Sequence, residues 1–339
     1  MLQLRAPRSA LAAAAALSRT TSATTARRSL SSGSPSKQQQ QPQPSALPFT
    51  RVGVVGMGLM GHGIAQVAAE AGFPVTACDT SRASLDKGLA MIEESLKRAT
   101  GKAVSKGQLS QADADRKVRE TLARIDVRTD DVSRLASSGV DLVVEAVVEN
   151  LAVKRSLFEK LGRETAKHAV LASNTSSFPI EELSAASGRP AKVVGVHLFN
   201  PVQVMPLVEV VATKHTDADT MERAVAFVRA VGKTPVKCKD TPGFIVNRLL
   251  VPYLAEAMAM VDRDGVDPQD VDTAMKLGAG HPMGPLRLAD YIGLDTCLSI
   301  LKGWVDKYPG QGFFVPACLE RLVKEGKLGR KSGQGFYKW

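Results

Sequence analysis

The sequence predicts an α/β domain with a helical hairpin insertion, followed by an all-α C-terminal domain. Short β-branched runs alternate with helical segments over about residues 50–240, as expected for a mostly parallel sheet covered by helices. After Asp240 only helical periodicity follows, so we place the domain boundary there. The predicted domains are therefore residues 50–240 and residues 241–339.

A glycine-rich turn follows the first predicted strand, Arg51 to Val55. A helix of small residues and a second strand, Val75 to Cys78, come after it, which is the βαβ context that a GxGxxG spacing requires. The first glycine allows a tight turn, the second lets the backbone approach a pyrophosphate, and the third lets helix and strand pack closely. The pattern predicts a Rossmann-type dinucleotide-binding domain whose phosphate-binding turn comprises Gly56, Met57, Gly58, Leu59, Met60 and Gly61.

Asp79 directly follows the second predicted strand. In such a unit this position belongs to the acid that accepts a hydrogen bond from the ribose 2′-hydroxyl and repels a 2′-phosphate. We therefore expect NAD rather than NADP as the cofactor.

A long helical hairpin is predicted between Ser81 and Asp126, where a short crossover would be usual. Apolar residues recur at helical spacing on both arms, and we include Ile125 in the second arm. The tip carries a run of basic residues that is either a solvated face or a clamp for a phosphate-bearing substrate: Lys97, Arg98, Lys102 and Lys106.

Two successive β-branched runs within Val193 to Val211 contain His197 and Glu209. A histidine can accept the proton of an alcohol while a dinucleotide takes the hydride, and a carboxylate on its other nitrogen would fix its tautomer. The polar segment Ser173 to Ser177 follows another predicted strand, at the sheet edge where ligands lie in open α/β folds. Together these features indicate hydride chemistry on a hydroxyl.

The first 49 residues have the composition of a targeting segment and a linker. No acidic residue precedes Glu70, and arginines are spaced among Ala, Ser, Thr and Leu. We interpret residues 1–30 as a mitochondrial transit peptide that directs the protein to the matrix, with the plastid as the rival address. Residues 31–49, rich in Gln and Pro, are predicted to form a disordered linker.

Composition argues against several other classes of function. The formal net charge is +10, but residues 1–49 contain six Lys/Arg and no acid, so the rest carries only about +4, and nucleic-acid binding loses its main support. No apolar run is long enough for a transmembrane span. The four cysteines are far apart without a CxxC pair, so we expect neither a disulfide framework nor a metal site.

Several motifs in combination resemble the short-chain L-3-hydroxyacyl-CoA dehydrogenases of fatty-acid β-oxidation, over about residues 50–339. The motifs are GMGLMGHGIAQ (Gly56 to Gln66), EAVVENLAVK (Glu145 to Lys154), SNTSS (Ser173 to Ser177), HLFNP (His197 to Pro201), TPGFIVNR (Thr241 to Arg248), HPMGPLRLADYIGLDT (His281 to Thr296) and GRKSGQGFY (Gly329 to Tyr337). The resemblance implies reversible NAD-dependent oxidation of a (3S)-3-hydroxyacyl-CoA by a homodimer closed through its C-terminal helices.

The resemblance also implies roles for individual residues. His197 would be the general base and Glu209 its orienting partner. Ser176 would bind the substrate oxygen, while Asn200 and Asn247 would hold substrate and nicotinamide in line. The family's remaining cofactor and coenzyme A contacts would fall on Glu149, Lys154 and Lys331, and on Ser95 and Lys102, respectively.

Three residues depart from the family pattern. His281 stands where an aromatic is expected, His62 where a small residue is usual, and Pro206 where a longer polar residue is typical.

Three other interpretations of the function stay open. The β-hydroxyacid dehydrogenases share the glycine turn but use a lysine as acid/base. A sugar-acid dehydrogenase would share the His–Glu pair without needing Lys102, and a catalytically silent relative would keep only the fold.

Overall fold

The computed structural model describes residues 47–128 and 131–339. The predicted transit peptide and most of the predicted linker lie outside the described residues. Phe49, at the end of the predicted linker, is buried against Phe227 with ring centroids 6.2 Å apart. The Asp141 carboxylate accepts hydrogen bonds from the backbone N–H groups of Thr50 and Arg51, so the chain is already anchored where the first strand begins.

The described residues form a single eight-stranded sheet with the order β3-β2-β1-β4-β5-β6-β7-β8. Every neighbouring pair is parallel except β6 and β7, which run antiparallel. The strands are β1 (Val52–Val55), β2 (Val75–Cys78), β3 (Ile125–Arg128), β4 (Leu142–Glu145), β5 (Val170–Ser173), β6 (Val193–Leu198), β7 (Leu207–Ala212) and β8 (Thr234–Lys239).

Helices cover both faces of this sheet and then form the C-terminal domain. The helices between strands are α1 (Gly61–Glu70), α2 (Arg82–Ser105), α3 (Gln111–Ala123), α4 (Val132–Ser137), α5 (Leu151–Glu164), α6 (Ile180–Ala186) and α7 (Ala218–Ala230). Those after the sheet are α8 (Val246–Arg263), α9 (Pro268–Gly278), α10 (Pro285–Ile292), α11 (Leu294–Lys307) and α12 (Ala317–Lys324). None of the described helices is long and apolar enough to cross a membrane.

The α/β fold followed by a helical domain is confirmed, and the apolar residues of each strand explain why both faces are covered. Val52 and Val54 of β1 pack with helices α1, α2 and α7, whereas Val55 packs on the opposite face with α4, α5 and α6. A mostly parallel sheet requires this arrangement, because its strands bury side chains on both faces. The strand order reverses between β1 and β4, which opens a crevice at their carboxyl ends.

The predicted hairpin insertion is confirmed as α2 and α3, but the predicted end of its second arm is wrong. Ser81 and Ser110 cap the two helices, each accepting a hydrogen bond from a backbone N–H in the first turn. Ile125, which we had included in the second arm, is instead the first residue of β3 and pairs with Val75. A single apolar residue fits both the helical and the strand period, so its spacing from the other apolar residues of the arm does not distinguish a helix from a strand.

The helical periodicity of the sequence runs without a break from Pro285 to Val305 and predicts one helix there, but the structure has two. Gly293, with φ of +107°, separates α10 from α11. This backbone conformation costs a glycine little, because it has no Cβ. The break turns α11 so that its residues face both the helical core and the cleft described below.

Candidate active site

The antiparallel pairing of β6 with β7 brings His197 and Glu209 together. The two residues are directly opposite each other in the register, so their side chains lie on the same face of the sheet. His197 Nδ1 lies 2.8 Å from Glu209 Oε2, and both side chains are buried. The geometry therefore forms the pair that the sequence predicted from two separate strands.

The second oxygen of Glu209 is held by the C-terminal domain. Oε1 accepts hydrogen bonds from the backbone N–H groups of Ile245 and Val246, both at 2.9 Å, where α8 begins. Burial by itself raises the pKa of Glu209, but the hydrogen bonds from His197, Val246 and Ile245 outweigh it, so the pKa lies below its usual value. Glu209 is thus an anion that bridges β7, β6 and α8.

This bonding determines which nitrogen of His197 can act as a base. An ionised carboxylate can only accept hydrogen bonds, so Nδ1 must donate its proton to Glu209. Nε2 of the neutral ring then has a free lone pair. Since His197 lines the main cleft, it can accept a proton from a ligand bound there.

The cleft has a volume of about 910 Å³ and is formed by both domains. Loops at the carboxyl ends of β4, β5 and β6 form one wall, and residues of α8 and α11 form the other. The predicted site residues that line it are Met60, Glu149, Lys154, Ser176, His197, Asn200 and Asn247. The structure therefore brings the predicted catalytic residues, apart from the deeper Glu209, into one cavity.

A buried ionic network supports the polar loop after β5. Lys154 is only 1% exposed, and its Nζ lies 2.6 Å from Glu145 Oε1 and 3.1 Å from Glu149 Oε2. Glu145 also accepts a hydrogen bond from the Ser173 hydroxyl at 2.6 Å. Lys154 is predicted to contact the cofactor. In the structure its charge is already paired, and its ammonium group joins the carboxylates of Glu145 and Glu149.

Glu149 ties the same network to the loop that carries Ser176. Its Oε1 accepts hydrogen bonds from the hydroxyls of Thr175 at 2.5 Å and Ser177 at 2.7 Å, and from the Ser176 N–H at 3.4 Å. Desolvation would raise the pKa of Glu149, but the nearby Lys154 and the two hydroxyls lower it overall. The loop is therefore held rigidly by an ionised side chain at the cleft.

The glycine turn has the geometry that the sequence predicted. Gly56 has φ of +93°, and a Cβ on Gly61 would lie 1.6 Å from the Gly56 carbonyl oxygen, so neither position accepts a larger residue. A Cβ on Gly58 would meet no described heavy atom within 4 Å, which leaves open space beside the turn. His62, unusual at its position, is buried and bonds the Gly58 carbonyl through Nδ1 at 2.8 Å.

The other residues of the turn differ in exposure. Met57 is buried, whereas Leu59 is exposed and Met60 lines the cleft. Asp79 accepts a hydrogen bond from the Met57 N–H at 2.8 Å and another from the Ser81 N–H at 3.0 Å. Asp79 therefore lies beside the turn, where the ribose-binding acid is expected.

Among the predicted ligand contacts away from the glycine turn and Asp79, three lie outside the main cleft: Lys331, Ser95 and Lys102. Lys331 forms an ion pair with Asp295, which does line the cleft. Ser95 and Lys102 lie seven residues apart on α2, hence on one face of that helix, and Lys102 is exposed. A smaller cavity of about 390 Å³ between α2 and α3 is lined by neither of them. Their roles stay predictions.

Sequence reasoning missed two residues that shape the site. Glu145 was noted only as part of a motif, yet it is the centre of the buried network. Asn174 Oδ1 accepts a hydrogen bond from the Leu198 N–H at 2.9 Å and so joins the loop after β5 to the end of β6. A polar residue at the end of an apolar strand was the available signal. Within residues 47–128 and 131–339 no cluster of His, Cys, Asp and Glu could hold a metal ion.

Comparison with known proteins identifies the family of this chain. The family model for the 3-hydroxyacyl-CoA dehydrogenase NAD binding domain matches residues 51–241, and the model for the C-terminal domain of the same family matches residues 243–339. The mitochondrial hydroxyacyl-coenzyme A dehydrogenase of Rattus norvegicus is 49% identical over 289 residues, which are 85% of this chain and 90% of the relative. The Homo sapiens protein of the same name is 48% identical over the same shares.

A solved structure is also similar to this chain over most of its length. The (S)-3-hydroxybutyryl-CoA dehydrogenase from Ralstonia eutropha has a TM-score of 0.79 and 36% identity, over 86% of this chain and 99% of that chain. The chain therefore belongs to the 3-hydroxyacyl-CoA dehydrogenase family, with that family's NAD-binding domain followed by its C-terminal domain.

Proposed function

We propose that this protein oxidises the 3-hydroxyl of a (3S)-3-hydroxyacyl-CoA to the 3-oxoacyl-CoA with NAD, reversibly, and that His197 and Glu209 are its catalytic pair. The single observation that carries the proposal is the buried 2.8 Å contact between His197 Nδ1 and Glu209, which leaves Nε2 available at the cleft. The names of the curated relatives support the acyl-CoA substrate.

The residues of the chain fit an NAD molecule at the glycine turn. Space is open beside Gly58, the N-terminus of α1 follows directly, and Asp79 provides a carboxylate next to the turn. When bound, NAD supplies the acceptor for the hydride that leaves C3 of the substrate. Glu149, Ser176 and Asn200, all at the cleft, complete the residues that we propose for binding it.

The proposed proton transfer is separate from the hydride transfer, and the contact between His197 and Glu209 supports it. His197 Nε2 accepts the hydroxyl proton as the C3–H bond breaks, and the ionised Glu209 stabilises the imidazolium that forms. Ser176 and Asn247 line the same cleft, and we propose that they hydrogen-bond the substrate oxygen. In the reverse direction the imidazolium returns its proton to the carbonyl oxygen.

A comparison of substrates tests the activity. We expect the full chain to oxidise NADH with acetoacetyl-CoA much faster than with free acetoacetate, and to reduce NAD hardly at all with a sugar acid such as gulonate. Preference for the sugar acid would identify the protein as a sugar-acid dehydrogenase. No turnover with any of the three would mean that the fold is catalytically silent.

A pair of histidine variants tests the general base. His197→Gln is expected to lower kcat by about a hundred-fold or more and to leave NADH affinity nearly unchanged, because the imidazole acts on the substrate proton. His168→Gln, at an exposed position in the turn between α5 and β5, is the matched control and should retain activity. A loss of only a few-fold in His197→Gln would remove the general-base role.

We also propose a mitochondrial matrix location and a homodimer formed through residues 241–339. The mitochondrial names of the rat and human relatives support the location. Several large apolar side chains of the C-terminal helices are exposed, which supports an interface there: Leu249, Met260, Leu277, Tyr291 and Ile292. Analytical ultracentrifugation of the full chain tests the dimer, and import into isolated mitochondria tests the location.

A further inference from the structure

Phe244 has a backbone conformation that is unusual for its residue type. Among the described residues it is the only one other than glycine with a positive φ, at +53°. A residue with a Cβ pays free energy to hold this conformation, and such strain persists only where the surroundings enforce it. Strained residues of this kind concentrate at functional sites, so the position requires an explanation.

The strained turn directs two backbone donors at Glu209. Phe244 follows Gly243, whose φ is +71°, so the chain reverses sharply between β8 and α8. The N–H groups of the next two residues, Ile245 and Val246, are the ones that bond Glu209 Oε1. The N-cap residue of α8, Ile245, makes no side-chain hydrogen bond to the first turn of the helix. The Glu209 carboxylate on β7 accepts hydrogen bonds from this end of the helix instead.

The Phe244 ring completes the surroundings of His197. The ring is 4% exposed, and its centroid lies 5.6 Å from that of the His197 imidazole. The Phe199 ring also packs against the imidazole, with the two ring centroids 4.4 Å apart. Two aromatic rings and the Glu209 carboxylate therefore restrict the orientation of His197.

Packing against the C-terminal domain holds the turn in place. A Cβ on Gly243 would lie 2.6 Å from the ring of Trp304, so this residue packs directly on α11. The Gly243 carbonyl accepts a hydrogen bond from the Arg248 N–H at 3.0 Å, and the Phe244 N–H donates to the Thr241 carbonyl at 2.9 Å. Helices of the second domain therefore enforce the strain at Phe244.

From these contacts we propose that Phe244 is a positioning residue for the proposed reaction. Its ring fixes the His197 imidazole, and its backbone conformation directs the next two N–H groups at the Glu209 carboxylate. The inference rests on the proposed function of the His197–Glu209 pair. It links the junction between the two domains directly to the proton acceptor, because the same turn packs on Trp304 on one side and on His197 on the other.

Two substitutions separate the ring from the backbone. Phe244→Leu keeps an apolar side chain and the same backbone cost but removes the ring, and we expect kcat to fall about tenfold to a hundred-fold. Phe244→Val is β-branched and resists a positive φ, so we expect a larger loss. In both, the dissociation constant for NADH and the KM for acetoacetyl-CoA should stay within about twofold, because the affected groups act on the proton.

A matched control and a spectroscopic readout distinguish positioning from general loosening. Phe227→Leu removes an equally buried ring on α7, and it should lower the melting temperature comparably without lowering kcat. The Nδ1–H proton resonance of His197, assigned by its absence in His197→Gln, should move in Phe244→Leu and stay unchanged in Phe227→Leu.

The outcomes separate this inference from the proposed function. An inactive wild-type protein would contradict the proposed function. An active wild type in which Phe244→Leu retains kcat within twofold and an unchanged His197 resonance would overturn the positioning role alone. A fall in kcat matched by equal changes in NADH affinity and in the Phe227→Leu control would also overturn it, because any buried ring would then suffice.

Discussion

Replacement of Glu209 by Gln should impair the protein through the tautomer of His197 as well as through the lost charge. The two carboxylate oxygens have different partners: Oε2 bonds His197, while Oε1 accepts from two backbone N–H groups of α8. In the variant, those N–H groups require the amide oxygen. The amide NH₂ must then face His197 Nδ1 and donate to it, which moves the ring proton to Nε2.

The magnitude follows from these two effects. A hydrogen bond to a charged group contributes about 1.5–3 kcal/mol, so weaker stabilisation of the imidazolium costs roughly tenfold to 150-fold in kcat. A ring protonated on Nε2 cannot accept the substrate proton, and a wrong tautomer of this kind costs about ten-thousand-fold in the serine protease triad. We therefore expect Glu209→Gln to lower kcat by at least about a hundred-fold.

The assay is the reduction of acetoacetyl-CoA, followed by the fall in NADH absorbance. Glu222→Gln, at an exposed position on α7, is the matched control and should behave as the wild type. A loss below tenfold would refute the argument and leave Glu209 a structural residue.

Three further predictions concern the cofactor, the hairpin and acid stability. Asp79→Ser combined with Thr80→Arg should shift the ratio of kcat/KM for NADP to that for NAD upward by about tenfold, because a repelling charge is replaced by a phosphate partner. Lys102→Ala should raise KM for acetoacetyl-CoA about two- to fivefold with kcat unchanged, raise it less for a truncated pantetheine thioester, and lose its effect in high salt. The pKa of folded Glu209 lies below the 4.5 of an ordinary glutamate, so its stabilisation is complete above about pH 4.5 and is lost as the pH falls through the folded value. The difference in free energy of unfolding between wild type and Glu209→Gln should therefore shrink below that pH, measured by urea denaturation.

Each of these predictions has an outcome that would contradict it. Equal use of NAD and NADP by the wild type would remove Asp79 from cofactor choice. Equal KM changes for the two thioesters, or the same change in the neighbouring control Lys106→Ala, would mean that the tip of the hairpin is only a solvated face. A difference in unfolding free energy that stays constant from neutral pH to pH 3 would show that the charge of Glu209 adds no stability.

Local features of this chain were predictable from the sequence because the backbone alone constrains them. The glycine turn could be recognised since Gly56 needs a positive φ and Gly61 has no room for a Cβ. The helical hairpin followed from the spacing of apolar residues on its two arms. Periodicity failed where one residue satisfies two patterns, as at Ile125, or where a glycine breaks a continuous pattern, as at Gly293.

The pairing and the protonation of the site residues depend on contacts between segments that are distant in sequence. The sequence placed His197 and Glu209 on two strands, but only their antiparallel register sets them opposite each other. The bond from Ser173 to Glu145, and the bonds from the start of α8 to Glu209, join residues that no spacing relates. Glu209 is an anion because these donors outweigh its desolvation, and that balance exists only once the two domains have packed together.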